Sequence, residues 1–233
     1  MLTEEETSAL LLSLQVSGTA LVMSLPFAIL MAYVLARKNF PGKIFLDGVI
    51  HLPLVLPPVA TGFALLILLG RKGPIGGFLY EILGITLAFR WTGAAVAASI
   101  MAFPLIVRPI RLAFEAIDPR LEAAAATLGA NPLLVFFTIT LPLAVPGVLS
   151  AMVLGFAKCL GEFGATITFV SNIPGETRTL PLALYTYTQV PGGEGPALRL
   201  AVIAVVISFA ALIFAEVLAS RTKRRIYLLR EAL

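Results

Sequence analysis

Asp118-Pro119-Arg120-Leu121-Glu122-Ala123-Ala124-Ala125-Ala126-Thr127-Leu128-Gly129-Ala130-Asn131-Pro132, followed by Ile139-Thr140-Leu141-Pro142, is a charged interruption between long apolar runs. Asp118 is suited to cap a helix with its carboxylate. Pro119 suits the first helical position, where its missing N–H has no intrahelical partner to lose. Ala123 to Ala126 propagate a helix cheaply and Gly129 supplies a permissive stop, with Leu121, Ala125 and Leu128 on one face. Asn131 and Pro132 repeat the cap-and-proline signal, starting a second helix through Leu134, Phe137 and Ile139 that Pro142 is expected to interrupt. A short alanine-rich helix is marginal alone in water, so it must be ordered by a partner protein or by the bilayer surface. A surface-bound helix wants Lys or Arg along its polar face, whereas this one has only Arg120 and Glu122 at its start. Small side chains permit close backbone approach, which favours a protein groove.

Composition sets the frame around this stretch. Of 233 residues, 59% are hydrophobic and 13% charged, against roughly 25% charged in a soluble domain. Charge-free runs at 9–36 and 48–69 reach or exceed the ~20 residues a helix needs to cross the ~30 Å hydrocarbon layer. The first run is a poor secretory signal, because its flank Thr3-Glu4-Glu5-Glu6-Thr7 is acidic where a signal peptide wants Lys or Arg. Spans are expected near 9–36, 48–69, 91–107, 143–164 and 197–220, about five in one transmembrane domain over 1–233. The fold class is all-α, a polytopic transmembrane helical bundle with membrane lipid around it. The net charge of +4 does not point to nucleic acid, since Arg37, Lys38 and Lys43 follow the first span and Arg221, Lys223, Arg224 and Arg225 end the chain. Such clusters read as positive-inside flanks. They put the amino terminus outside, with the loop at 108–140 and the carboxyl terminus inside; Arg71, Lys72 and Arg90 then fall in the outer loop, against the trend.

The single cysteine, Cys159, excludes an internal disulfide and a cysteine cluster, and the single histidine, His51, excludes a bis-histidine haem. Cys159 reads as a small buried hydrophobe and His51 as a solvated side chain near an inner interface. Trp91 and Tyr80 mark an interfacial belt. Within the spans, prolines and glycines recur, and the run His51-Leu52-Pro53-Leu54-Val55-Leu56-Pro57-Pro58 argues for a discontinuous helix near a pathway, with Pro57 and Pro58 as candidate residues of that path. Lys158 and Glu162 are spaced to meet on one helix face. Charges at membrane depth mark a pathway, yet near the outer end a mutual pair reaching interfacial water explains them equally. Thr166 and Thr168 have two readings as well: weak hydrogen bonds to a passing oxyanion, or bonds to neighbouring helices.

The loop resembles that of the membrane subunits of ATP-binding-cassette importers, whose cytoplasmic motif is Glu-Ala-Ala, a following glycine, then Ile-x-Leu-Pro. Gly129 through Ile139, Leu141 and Pro142 keep the family spacing. Gly129 falls one residue late after Glu122-Ala123-Ala124, so Ala123-Ala124-Ala125 can equally occupy the motif. Phe136 to Pro142, Leu160 to Val170, Ser171 to Thr179, Arg37 to Lys43, His51 to Pro58 and Pro191 to Glu194 look like the bacterial molybdate permeases, with sulfate and tungstate permeases as relatives. The resemblance implies ATPase coupling through Leu121 to Ala125, Leu128, Gly129, Ala130, Ile139, Leu141 and Pro142. It implies a second copy of the chain, two cytoplasmic ATPase subunits that hold ATP and Mg2+, and an external binding protein that docks near Gly175, Glu176 and Arg178. The location implied is the inner cell membrane. No Gly-x-x-x-x-Gly-Lys-Ser/Thr loop occurs, so no cofactor is expected on this chain and ATP is hydrolysed elsewhere. Closure of the ATPases is expected to push the helix at 119–129 and drive alternating access.

Two other classes compete. An ion-driven secondary transporter uses its own intramembrane carboxylates, and the middle of these spans lacks them. A redox-complex anchor needs haem or metal ligands beyond a lone histidine and a lone cysteine.

Overall fold

The computed structural model describes residues 3–231, with side chains described through Phe214 and at Val217. The side chains of Arg221, Lys223, Arg224 and Arg225, the basic cluster expected to flank the last span, lie outside the described residues. Everything regular among the described residues is helical: α1 Glu4–Arg37, α2 Lys43–Val55, α3 Pro58–Leu69, α4 Pro74–Leu83, α5 Trp91–Glu115, α6 Pro119–Thr127, α7 Pro132–Val135, a π turn Phe136–Thr140, α8 Leu141–Leu160, α9 Gly164–Val170, α10 Leu180–Thr188 and α11 Glu194–Glu231. Four helices are long and apolar enough to cross a membrane, five if α2 and α3 count as one broken span.

The core is a triad of α1, α5 and α8 packed over small residues. Ala20, Ala28 and Ala32 of α1, Ala94, Ala95, Ala98 and Ala102 of α5, and Ala144 and Ala151 of α8 are buried, while Val22, Phe27 and Leu30 point outward. Lipid solvates leucine as well as protein does, so helices in a bilayer associate through close van der Waals approach rather than expulsion from water. Gly147 shows how close: a Cβ there would lie 2.3 Å from the Cβ of Ala113 and 3.0 Å from the Pro109 carbonyl oxygen. Hydroxyls stitch the same seam, Ser99 donating to the Ala20 carbonyl at 3.0 Å.

Three expectations are corrected. The span at 48–69 is two helices, α2 and α3, meeting at 113°; Pro57 and Pro58 offer no N–H and restrict the residue before them, so the helix cannot continue through. The span at 91–107 continues as helix to Glu115, because Arg111 finds carboxylates in Asp47 (3.1 Å) and Glu115 (2.8 Å); charge ends the membrane segment without ending the helix. His51 joins this cluster, its Nδ1 2.9 Å from the Asp47 carbonyl oxygen. Pro142 does not interrupt the second loop helix, which runs on into α8. Its missing N–H and its ring are absorbed by a π turn in which the Leu141 N–H reaches back to the Phe136 carbonyl. The segment after Val170, which holds the expected docking residues, is helical in part. Its α10 buries Leu180, Leu182 and Ala183, and the Leu180 N–H donates to Ser13 Oγ at 2.6 Å.

α1 orders the two ends of the bundle. It opens with a capping box, Thr3 Oγ1 accepting from the Glu6 N–H (3.2 Å) and Glu6 Oε2 from the Thr3 N–H (2.8 Å), and its 34 residues extend about 50 Å. Beside its start lie the pairs Glu6 with Arg199 at 2.8 Å and Glu5 with Arg178 at 3.8 Å. Beside its end lies Glu122. Residues 171–199 and the loop at 116–140 therefore occupy opposite ends, whichever faces the cytoplasm.

Gly147→Ala is expected to lower stability by about 1–3 kcal/mol, the usual penalty of overpacking. Melting of the detergent-purified protein, followed by Trp91 fluorescence, checks this, with Gly147→Ala/Ala113→Gly expected to recover most of the loss.

Candidate functional site

The loop between α5 and α8 is built as its caps require. Asp118 Oδ1 accepts from the Arg120 N–H at 2.9 Å, and Asn131 Oδ1 from the Leu134 N–H at 2.8 Å. Gly129 has φ +86°, and the turn closes with Ala130 N–H to Ala125 O (3.1 Å) and Gly129 N–H to Ala126 O (3.0 Å). That pair of bonds is a Schellman ending, which places glycine in the left-handed region where other residues are strained.

α6 faces the opposite way to an ordinary amphipathic helix. Glu122 and Ala125 turn inward and are half-buried, while Leu121 and Leu128 are exposed, Leu128 at 89%. Leu121, Ala125 and Leu128 therefore do not share one buried face. The inner neighbours are a guanidinium and a hydroxyl, Arg37 Nη2 at 3.1 Å and Thr140 Oγ1 at 2.8 Å from Glu122 Oε1. These select the acid and leave the leucines outside. With Leu133 and Phe137 they form an apolar end surface on a helix whose backbone is capped at both ends. Ile139 is half-buried beside it, whereas Leu141 and Pro142 belong to the first turn of α8.

The second group of residues meets at two adjacent helix breaks. Gly164, which opens α9, sits where a Cβ would come 2.6 Å from Pro58 Cβ, and Gly62 of α3 would bring one 2.5 Å from the Ala165 carbonyl oxygen. The α8–α9 break thus lies against the α2–α3 break at Pro57 and Pro58. Lys158 Nζ is 2.7 Å from Glu162 Oε2, and Glu162 Oε1 accepts from the Ala165 N–H at 3.1 Å. Glu162 is 3% exposed, so it does not reach interfacial water. It closes the start of α9 while Lys158 neutralises it. Thr168 Oγ1 donates to its own helix at the Gly164 carbonyl (2.9 Å), and Thr166 is buried. Two aromatic residues not singled out from the sequence complete the break: Phe163 and Tyr185 of α10, ring centroids 5.2 Å apart. Their separation along the chain hid this contact, which α10 creates by folding back into the bundle.

At the opposite end from α6, Gly175 is exposed, but Glu176 and Arg178 are engaged within the chain. Glu176 pairs with Arg90 at 3.6 Å, and Arg178 Nε donates to Asn172 Oδ1 at 3.0 Å. Arg71 stacks over the Tyr80 ring at 4.0 Å. Two of the cations that ran against the charge trend, Arg71 and Arg90, therefore have local partners.

Residues 24–224 match the model of the binding-protein-dependent transport system inner membrane component. The chain belongs to that family. It is 57% identical over 225 residues to the molybdenum transport system permease protein of Escherichia coli, covering 97% of this chain and 98% of that one. It is 54% identical to the Haemophilus influenzae protein of the same name, covering 95% and 96%. Among solved structures, a bacterial ABC transporter that imports the acidic polysaccharide alginate superposes with a TM-score of 0.73 at 19% identity, over 94% of this chain and 80% of that one. The protein is accordingly a multi-pass inner-membrane permease subunit.

Lys158→Met is expected to leave Glu162 charged, buried and unpaired, lowering stability by up to about 3 kcal/mol. Lys158→Met/Glu162→Gln should be milder, since the amide oxygen still accepts from the Ala165 N–H; comparing the two melting temperatures tests the pairing.

Proposed function

We propose that this chain is the membrane-spanning subunit of an importer that carries molybdate into the cytoplasm, powered by ATP hydrolysis on separate subunits. The observation that carries the coupling half of this reading is the outward apolar face of α6. Leu121 and Leu128 stand exposed on a doubly capped helix at one end of the bundle, beyond the membrane-length part of α5, where lipid is not the solvent. A groove in a cytoplasmic ATPase is the complementary surface. The substrate half rests on the 57% identity over nearly the whole chain to a molybdenum permease.

In this mechanism two copies of the chain enclose the path, an external binding protein delivers the oxyanion at the end carrying Gly175, and the amino terminus lies outside. ATP and Mg2+ reside on the ATPase, and none is held by this chain. Closure of the ATPases moves α6, and the cavity between the copies changes the side to which it opens. The path needs no strong anion trap, because a site that holds its ion too tightly also blocks release. The neutralised Lys158–Glu162 pair and the self-bonded Thr168 fit such a weakly binding wall.

Leu128→Asp should abolish retention of the ATPase on purification without preventing membrane insertion. Competition of ATP-dependent uptake, with the native binding protein present, is expected to rank molybdate and tungstate above sulfate; equal or better inhibition by sulfate overturns the substrate assignment.

A further inference from the structure

Glu122 belongs to the coupling helix by sequence and to the membrane bundle by contact. Its Oε1 accepts from Arg37 Nη2, at the end of α1, and from the Thr140 hydroxyl, at the end of the π turn. The same Arg37 Nη2 donates to the Ile117 carbonyl at 3.1 Å, just before the Asp118 cap. Four segments thus converge on one contact: the ends of α1 and α5, the first turn of α6, and the entry to α8. Thr140 is fully buried, and the Arg37 and Glu122 side chains are only 14% and 21% exposed. Partial exclusion of water strengthens the attraction between them.

The contact is also half-used. A guanidinium and a carboxylate ordinarily meet through two parallel N–H bonds, yet here one nitrogen serves both Glu122 and Ile117, while Arg37 Nε is buried without a partner. A buried unpaired donor beside a carboxylate is unfavourable, and an arrangement of α6 against α1 that engaged Nε would relieve that cost. Coupling between distant sites requires an element of this kind, with two discrete packings that both sites bias.

We propose that Arg37, Glu122 and Thr140 form a latch that carries displacement of α6 into α1 and α8 together, with Glu122 as a positioning residue rather than an ATPase contact. The latch rests on the reading of α6 as an ATPase-driven lever. It also accounts for the register of the loop: the acid that stands one residue early is the one that faces inward, and Ala123 takes the outward position.

The test is the whole complex, permease with ATPase and binding protein, reconstituted in vesicles. ATPase retention on purification, ATP hydrolysed and molybdate taken up are measured for Arg37→Gln, Glu122→Ala and the swap Arg37→Glu/Glu122→Arg. Both single variants are expected to retain the ATPase while uptake per ATP falls at least about fivefold, the lower range of measured couplings between sites. The swap is expected to recover part of that ratio, which a merely structural loss would not. Should Glu122→Ala fail to accumulate in the membrane, the isosteric Thr140→Val carries the same measurement. Loss of the ATPase from Glu122→Ala overturns the latch in favour of a docking role, and an unchanged ratio overturns it outright. Wild-type uptake that ignores ATP overturns the importer reading and the latch with it, whereas ATP-driven uptake with an unchanged Glu122→Ala ratio removes the latch alone.

Discussion

Close backbone approach between α1, α5 and α8 is the constraint on which the rest of this structure depends. In hydrocarbon no hydrophobic force sorts large side chains inward, so alanine and glycine let the three helices approach closely, and large residues divide between the core, as Leu35, Ile106 and Phe114 do, and the outside, as Val22 and Phe27 do. The contact of Gly147 with Ala113 and that of Gly155 with Ile106 leave no room for even a methyl group between the helices. Around this triad are attached the bent pair α2 and α3, the short helices α9 and α10, and the capped helix α6.

Breaks in the helices follow from a second constraint, that every exposed backbone group in lipid needs a partner within the protein. The two breaks at Leu56-Pro57 and Gly161-Glu162-Phe163 lie side by side, where Glu162 accepts from the Ala165 N–H and prolines remove donors that would have been orphaned. Ion pairs then collect at the two ends of α1. One set holds the segment around α10 to the start of α1, the other holds α6 to its end. α6 is consequently joined to the triad through a small number of polar contacts, those of Glu122 with Arg37 and Thr140.

Much of this was legible from residue order alone, because the signals are local. The Asp118 and Asn131 caps and the Gly129 turn depend on groups within a few residues of each other, and the structure has them as read, while the proline run at 51–58 announced a discontinuous helix without placing its break. The Lys158–Glu162 pair is an i, i+4 contact and was legible for the same reason. The continuation of α7 into α8 was misread because a proline inside an apolar helix has two outcomes, a stop or a π turn, and neighbouring helices decide between them. The helix α10 was not legible in the sequence, because the partners that bury it, Ser13 and α11, lie far away in the chain.

Local chemistry and composition determined by themselves that this is an all-helical membrane protein with a capped, alanine-rich helix between spans, since hydropathy, capping and proline geometry act over a few residues. Only the tertiary structure decided which way that helix faces. Glu122 turns inward because Arg37 and Thr140, 85 and 18 residues away, meet there, and a half-buried guanidinium selects a carboxylate over a leucine. The leucines are left on the outside.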